Sequence, residues 1–219
     1  MSIVVYDVET TGLKRSQSNG ASPIGEGDEV IQIGGVVLNK DFKPIRLFCY
    51  YCDAIHAEVS TSALSAHGIS LESIRQYIPD VYLEDVMRAH LPEFYEEDFL
   101  GIGYNVDFDS DLINYTMRGD SSFKKLPKKT PRIGVTRGRN CIDVMDFFKE
   151  RWTLSSRLQT AKEEFSAFFE EYCSKLTVDT NIPELFNASQ LSAHNALYDT
   201  IATYVLFCKY VLPKFPRRR

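Results

Sequence analysis

The chain opens on an apolar run, Ile3-Val4-Val5-Tyr6, that closes in Asp7-Val8-Glu9 and a turn-like Thr10-Thr11-Gly12. Dense β-branched and aromatic residues predict a first strand over residues 3–8, with further strands over 30–38 and 45–52. Asn39-Lys40-Asp41 supplies the turn between the latter two. Apolar residues at helical spacing predict helices over 60–66, 82–97, 109–117, 144–150, 155–174 and 195–210, with short strands over 100–104 and 140–143. Strands early and helices later, without an internal repeat, predict an α/β fold with a mixed sheet flanked by helices.

Side chains on a strand alternate faces, so Asp7 and Glu9 project to one side while Val8 points into packing. Two carboxylates on one face repel unless a cation lies between them, and hard divalent ions such as Mg²⁺ take oxygen ligands of this kind. Near the other end, Ser192-Ala193-His194-Asn195-Ala196-Leu197-Tyr198-Asp199 leads into an apolar helical segment. A helix beginning just after His194 places Asp199 in its early turns and leaves His194 on the preceding loop, where imidazole suits general-base work on a water molecule. Between them, Gly103-Tyr104-Asn105-Val106-Asp107-Phe108-Asp109-Ser110-Asp111 joins a short strand to a helix start, with Asn105 as N-cap. Asp107, Asp109 and Asp111 compete for one role there, and the residues alone do not choose among them.

These three segments resemble the motifs of the DEDDh subclass of the DEDD 3'-to-5' exonucleases, a group that includes the proofreading epsilon subunit of bacterial DNA polymerase III, ribonuclease T and oligoribonuclease. Asp7, Glu9, Thr10, Thr11 and Gly12 match the first motif; Asn105, Phe108 and Asp109 match the second, which selects Asp109; His194, Ala196 and Asp199 match the third. Tyr104 stands where His is commoner, and Ala66-His67-Gly68-Ile69-Ser70 resembles a His-Gly-Ile segment frequent between the first two motifs. The resemblance spans residues 3 to 207 and implies a ribonuclease H-like exonuclease fold with a five-stranded mixed sheet. It implies a metal cage of Asp7, Glu9, Asp109 and Asp199 holding two Mg²⁺ ions, for which Mn²⁺ substitutes, spaced about 3.5–4 Å apart. His194 is then the general base for water attacking a terminal phosphodiester, with release of a nucleoside 5'-monophosphate. Thr10 and Thr11 offer backbone N–H groups to the 3'-terminal nucleotide, Leu13 wedges against the terminal bases, and Asn105 joins the substrate-binding set. The implied activity is on single-stranded or frayed DNA in proofreading, repair or end-trimming, with a DNA polymerase or other replication protein as a partner. The alternatives are a 3'-to-5' exoribonuclease and a noncatalytic binding module of the same fold, against which the intact five-residue set argues.

A chain of 219 residues, 44% hydrophobic, accommodates one domain with a full core. No apolar run reaches the roughly 18 residues needed to span a bilayer, and the N-terminus lacks a signal peptide's basic start, so a soluble cytoplasmic protein is expected. Five cysteines without paired finger spacing read as buried thiols, Cys49 and Cys52 included. Phe165, Phe168 and Phe169 read as core, and His56, His67 and His90 as structural, with His67 the one in a loop that approaches the substrate. Two aperiodic insertions interrupt the pattern, near residues 14–28 and 123–139. The first is rich in Ser and Gly and overhangs the site. The second holds Lys124, Lys125, Lys128, Lys129, Arg132, Arg137 and Arg139 without an acid, seven positive charges in a chain of net −5. Such segregation suggests contact with a nucleic-acid backbone, the lysines forming part of the substrate-binding set. Arg217-Arg218-Arg219 reads as a soluble terminus.

Overall fold

The computed structural model describes residues 1–12, 27–130, 138–148, 153–173, 176–186 and 191–215. The expected Leu13 wedge, nearly all of the 14–28 insertion, Arg132, Arg137 and the terminal arginines lie outside the described residues. Strand β1 (Ser2–Thr10) pairs antiparallel with β2 (Val30–Leu38), which pairs antiparallel with β3 (Pro44–Tyr51). On its other side β1 runs parallel to β4 (Phe99–Gly103), and β4 parallel to β5 (Arg139–Asp143). A two-residue strand, β6 (Val178–Asp179), extends the far edge, giving the order β5-β4-β1-β2-β3-β6. The sheet therefore has six strands where five were expected; two residues are too short to display any periodicity.

Both faces of β1 are covered, which is why its sequence is almost continuously apolar. Ile3 and Val5 face one core, with Leu197, Ile201, Val205 and Leu206 of α7 (Ala196–Leu206). Val4, Tyr6 and Val8 face the other, shared by α3 (Leu83–His90) and α4 (Val106–Thr116). Short helices α1 (Thr61–His67) and α2 (Leu71–Arg75) are capped by the Ser60 and Ser70 side chains, and the Ser60 N–H donates to Thr11 O beside the end of β1 (2.7 Å). Gly68 ends α1 in the left-handed conformation, φ 73°, which glycine adopts without steric cost.

Several expected helices are shorter. The 82–97 helix stops at His90 because Pro92 lacks an amide proton and restricts the residue before it; Pro92–Tyr95 form a 3₁₀ turn instead. The described part of 144–150 is likewise a 3₁₀ turn, Val144–Phe147. Residues 155–174 divide into α5 (Leu154–Leu158), a 3₁₀ turn, α6 (Lys162–Phe168) and a π turn over Phe169–Cys173. Phe168 is buried, while Phe165 and Phe169 are half-buried against Tyr198. Cys49, Cys52 and Cys141 are buried free thiols, and Cys208 is half-buried. Among the described residues, no helix is long and apolar enough to cross a membrane.

Candidate active site

The C-terminal end of β1 delivers Asp7 and Glu9 on the face opposite Val8, as strand alternation requires. The first turn of α7 brings Asp199 to them: carboxylate oxygens of Asp7, Glu9 and Asp199 all lie within 4.8 Å of one another. Asp109, in the first turn of α4, faces the same cavity of about 240 Å³ and is only 3% exposed. Val8, Thr10, Ser62, Ala63, Ala66, His67, Tyr104, Phe108 and His194 complete the lining. Its two flanking acids turn elsewhere. Asp107 accepts from the Lys129 backbone N–H (2.8 Å), and Asp111 pairs with the Lys128 ammonium.

Crowding of carboxylates away from water disfavours their charged forms. Burial, then Asp109, Asp199 and Glu9, hold the Asp7 carboxyl well above the ordinary range. Burial and the neighbouring Asp199 push Glu9 up to about 8. Burial also raises Asp109, with Glu9 adding and the Val8 amide opposing, and it carries Asp199 to about 6 against the opposing His194 amide and ring. A hard divalent cation would relieve all four displacements at once, and oxygen donors at this spacing fit one. Without a cation the arrangement is costly.

His194 sits on the loop before α7, exposed, with a left-handed backbone (φ 65°) that is uncommon for a residue with a Cβ. Its backbone N–H donates to Asp199 Oδ2 (3.1 Å), so the ring is left toward the cavity mouth. Asn195 caps α7 through its side-chain oxygen, which accepts from Leu197 and Tyr198 N–H. Asn105 occupies the N-cap position of α4, as expected, but its side chain makes no capping bond. It too is left-handed (φ 64°), and its backbone N–H donates instead to buried Asp143 (2.8 Å). The residues flanking both acidic helix starts are thus held in strained conformations, a feature that collects at functional sites.

The turn after β1 is tied into the fold. Thr11 N–H donates to Glu29 O (2.9 Å), its hydroxyl accepts from Glu29 N–H (3.0 Å), and Thr10 Oγ1 donates to Gly12 O (2.8 Å). The Thr11 amide, expected to face the terminal nucleotide, is therefore committed to the backbone. Three of the expected basic contacts also have local partners: Lys124 with Glu97, Lys128 with Asp111, and Lys129 with Asp146 (2.9 Å). Lys125 is exposed. Arg139 donates to the carbonyls of Phe94 and Glu96 and lies over the Phe99 ring, a structural role.

His67 is closer to the site than its structural reading implied. Its Nδ1 accepts from Ile69 N–H (3.0 Å), which makes Nε2 the protonated nitrogen, donating to Thr10 O (3.1 Å). Burial lowers its pKa against the opposing hydrogen bond to the Thr10 carbonyl, with the nearby His194 ring adding to the lowering. The His-Gly-Ile segment was its signal. Ser62, Ala63 and Ala66 had none, since only the docking of α1 brings them to the cavity. His90 stacks on Tyr50 (4.8 Å), away from this site.

A central strand ending in carboxylates, met by the N-termini of two helices across a mixed sheet, is a ribonuclease H-like arrangement. The chain belongs to the exonuclease family: the family model RNase_T, described as "Exonuclease", matches residues 4–207. The fold is also that of Escherichia coli exonuclease I solved with a dA16 oligonucleotide, at 15% identity and a TM-score of 0.55 over 97% of this chain and 41% of that one. Exonuclease I from Methylocaldum szegediense is similar at 17% identity and a TM-score of 0.55, with 97% and 41% covered. The chain thus spans about two fifths of the length of these exonuclease I structures. No curated protein matches it in sequence.

Proposed function

We propose that this chain is a divalent-metal-dependent 3'-to-5' exonuclease of the DEDDh kind, removing nucleoside 5'-monophosphates from single-stranded or frayed DNA ends. The observation that carries the proposal is the convergence of Asp7, Glu9 and Asp199 oxygens within 4.8 Å, with Asp109 and His194 on the same cavity. Asp7, Glu9, Asp109 and Asp199 would hold two Mg²⁺ ions, or Mn²⁺ in their place; bound there, the ions supply positive charge to the phosphodiester oxygens and acidify water.

The residues of the chain do the rest. His194, exposed and held through its backbone amide, accepts a proton at its ring from water attacking the terminal phosphorus. The new bond joins the water oxygen to phosphorus, and the bond to the bridging 3' oxygen breaks. The shortened strand keeps a 3'-hydroxyl, and the released nucleotide carries the 5'-phosphate. Tyr104 and Phe108 form apolar walls beside the carboxylates, suited to one unpaired nucleotide, so a duplex end must fray to enter. DNA is preferred as substrate because the exonuclease I structures of the same fold hold dA16 and dT13 oligonucleotides.

The test is a time course on matched 5'-labelled single-stranded DNA and RNA, with Mg²⁺ and with chelator. A metal-dependent ladder shortening from the 3' end, faster on DNA, is expected. Faster loss of RNA would reassign the chain as an exoribonuclease, and no cleavage of either would leave a noncatalytic binding module.

A further inference from the structure

Gln32 is the third residue of β2, fully buried, and is the direct cross-strand partner of Glu9. Opposed residues of an antiparallel pair share a face, so its carboxamide lies on the carboxylate side of the sheet. Its Oε1 accepts from Ala196 N–H (2.9 Å), the first amide of α7, across 164 residues of sequence. A backbone N–H can only donate, which fixes the orientation of the amide. The next two amides of α7 are taken by Asn195, so Gln32 completes the first turn's accounting. Two residues along β2, Gly34 lets the helix make backbone contact: a Cβ there would lie 2.3 Å from Leu197 N. Thr200 Oγ1 donates to Gly34 O (3.1 Å) from one turn further on. Gly34 sets how close α7 comes to the sheet; Gln32 ties down the end that carries His194 and Asp199.

Its Nε2 faces the hydroxyl of Tyr51, its cross-strand partner on β3, which itself donates to Leu185 O (3.3 Å). The amide nitrogen is thus directed away from α7, and the oxygen alone reaches the helix. We propose that Gln32 is a positioning residue, whose bond to Ala196 N–H holds the start of α7 so that the Asp199 carboxylate meets those of Asp7 and Glu9. Its consequence for turnover rests on the exonuclease reading above; its consequence for cation binding rests on the carboxylate geometry alone.

The experiment compares Gln32→Met, which removes the acceptor at nearly constant shape, with Gln32→Glu, which keeps an oxygen at Oε1. Mn²⁺ affinity of the free protein is read by electron paramagnetic resonance, alongside melting temperature and kcat and KM on a single-stranded oligonucleotide. Q32M should bind Mn²⁺ about tenfold more weakly and lose a similar factor in kcat, with KM within about twofold and the melting temperature lower by no more than about 2–4 °C, as for the loss of one hydrogen bond. Q32E places a further buried carboxyl opposite Glu9 and should melt lower for that reason, yet with its Oε1 kept it should recover most of the wild-type kcat at saturating Mn²⁺. Wild-type Mn²⁺ affinity in Q32M would overturn the proposal, as would equal losses of kcat in Q32M and Q32E. If the wild-type protein cleaves no oligonucleotide, the exonuclease reading fails, and the Mn²⁺ affinity of Q32M still decides this one.

Discussion

Glu9→Gln in the cation-free protein isolates the electrostatic cost of the site. Burial and Asp199 carry the Glu9 carboxyl from 4.5 to about 8. At about 1.36 kcal/mol per unit, that displacement corresponds to roughly 5 kcal/mol of differential interaction. Water at the cavity mouth screens part of it, leaving on the order of 2 kcal/mol. The sign follows from proton binding: between about pH 4.5 and 8 the folded protein holds a proton that the unfolded chain releases, so stability falls as pH rises through this window and is level above it. Gln carries no such proton. In chelator, the variant and wild type should therefore melt together near pH 5, and at pH 9 the variant should melt about 4–8 °C higher, taking roughly 2–4 °C per kcal/mol for a chain of this size. The parallel displacement of Asp199 acts in both proteins and largely cancels. Differential scanning calorimetry at the two pH values, in chelator, measures the difference. A melting difference that is the same at both, or negative at pH 9, would rule out this electrostatic cost at Glu9.

Asp7→Ala and Asp199→Ala should each abolish hydrolysis while leaving the protein as stable or slightly more so, because each removes a repelling carboxylate; residual turnover in a gel assay would contradict the site. His194→Ala should lower kcat by about 10²- to 10⁴-fold, the range for a lost general base, with Mn²⁺ binding retained; unchanged kcat would make His194 a packing residue. Gly34→Ala should lower stability by about 1–3 kcal/mol in denaturant melts, since the new Cβ meets the α7 backbone and not a side chain able to move. Lys125→Ala should reduce the salt dependence of single-strand binding by about 0.7 in log–log slope, and Lys128→Ala, already paired with Asp111, should reduce it less; equal slopes for both and wild type would assign the loop to solvent.

The central strand and its two acids were legible because alternation is a local property: period two places Asp7 and Glu9 together whatever surrounds them. The position of His194 ahead of α7 followed similarly from where the apolar pattern begins. Choosing among Asp107, Asp109 and Asp111 was not possible from the residues, since the choice depends on what each meets in three dimensions. Asp107 and Asp111 meet the 128–129 segment, and Asp109 meets the cavity. The basic loop looked free because the partners of Lys124, Lys128 and Lys129, namely Glu97, Asp111 and Asp146, stand 27, 17 and 17 residues away in sequence. Gln32 gave no signal at all: one polar residue in an apolar strand reads as tolerated, and its partner lies 164 residues away. Pro92 was legible as a break but was outweighed by the apolar spacing on either side of it.

On the proposed function, Asp7, Glu9, Asp109 and Asp199 form one metal site. Anomalous diffraction from crystals soaked in Mn²⁺ shows where the ions lie. Two anomalous peaks enclosed by the four carboxylates, both lost in Asp7→Ala, are expected. Peaks elsewhere, or none at saturating Mn²⁺, would contradict that site.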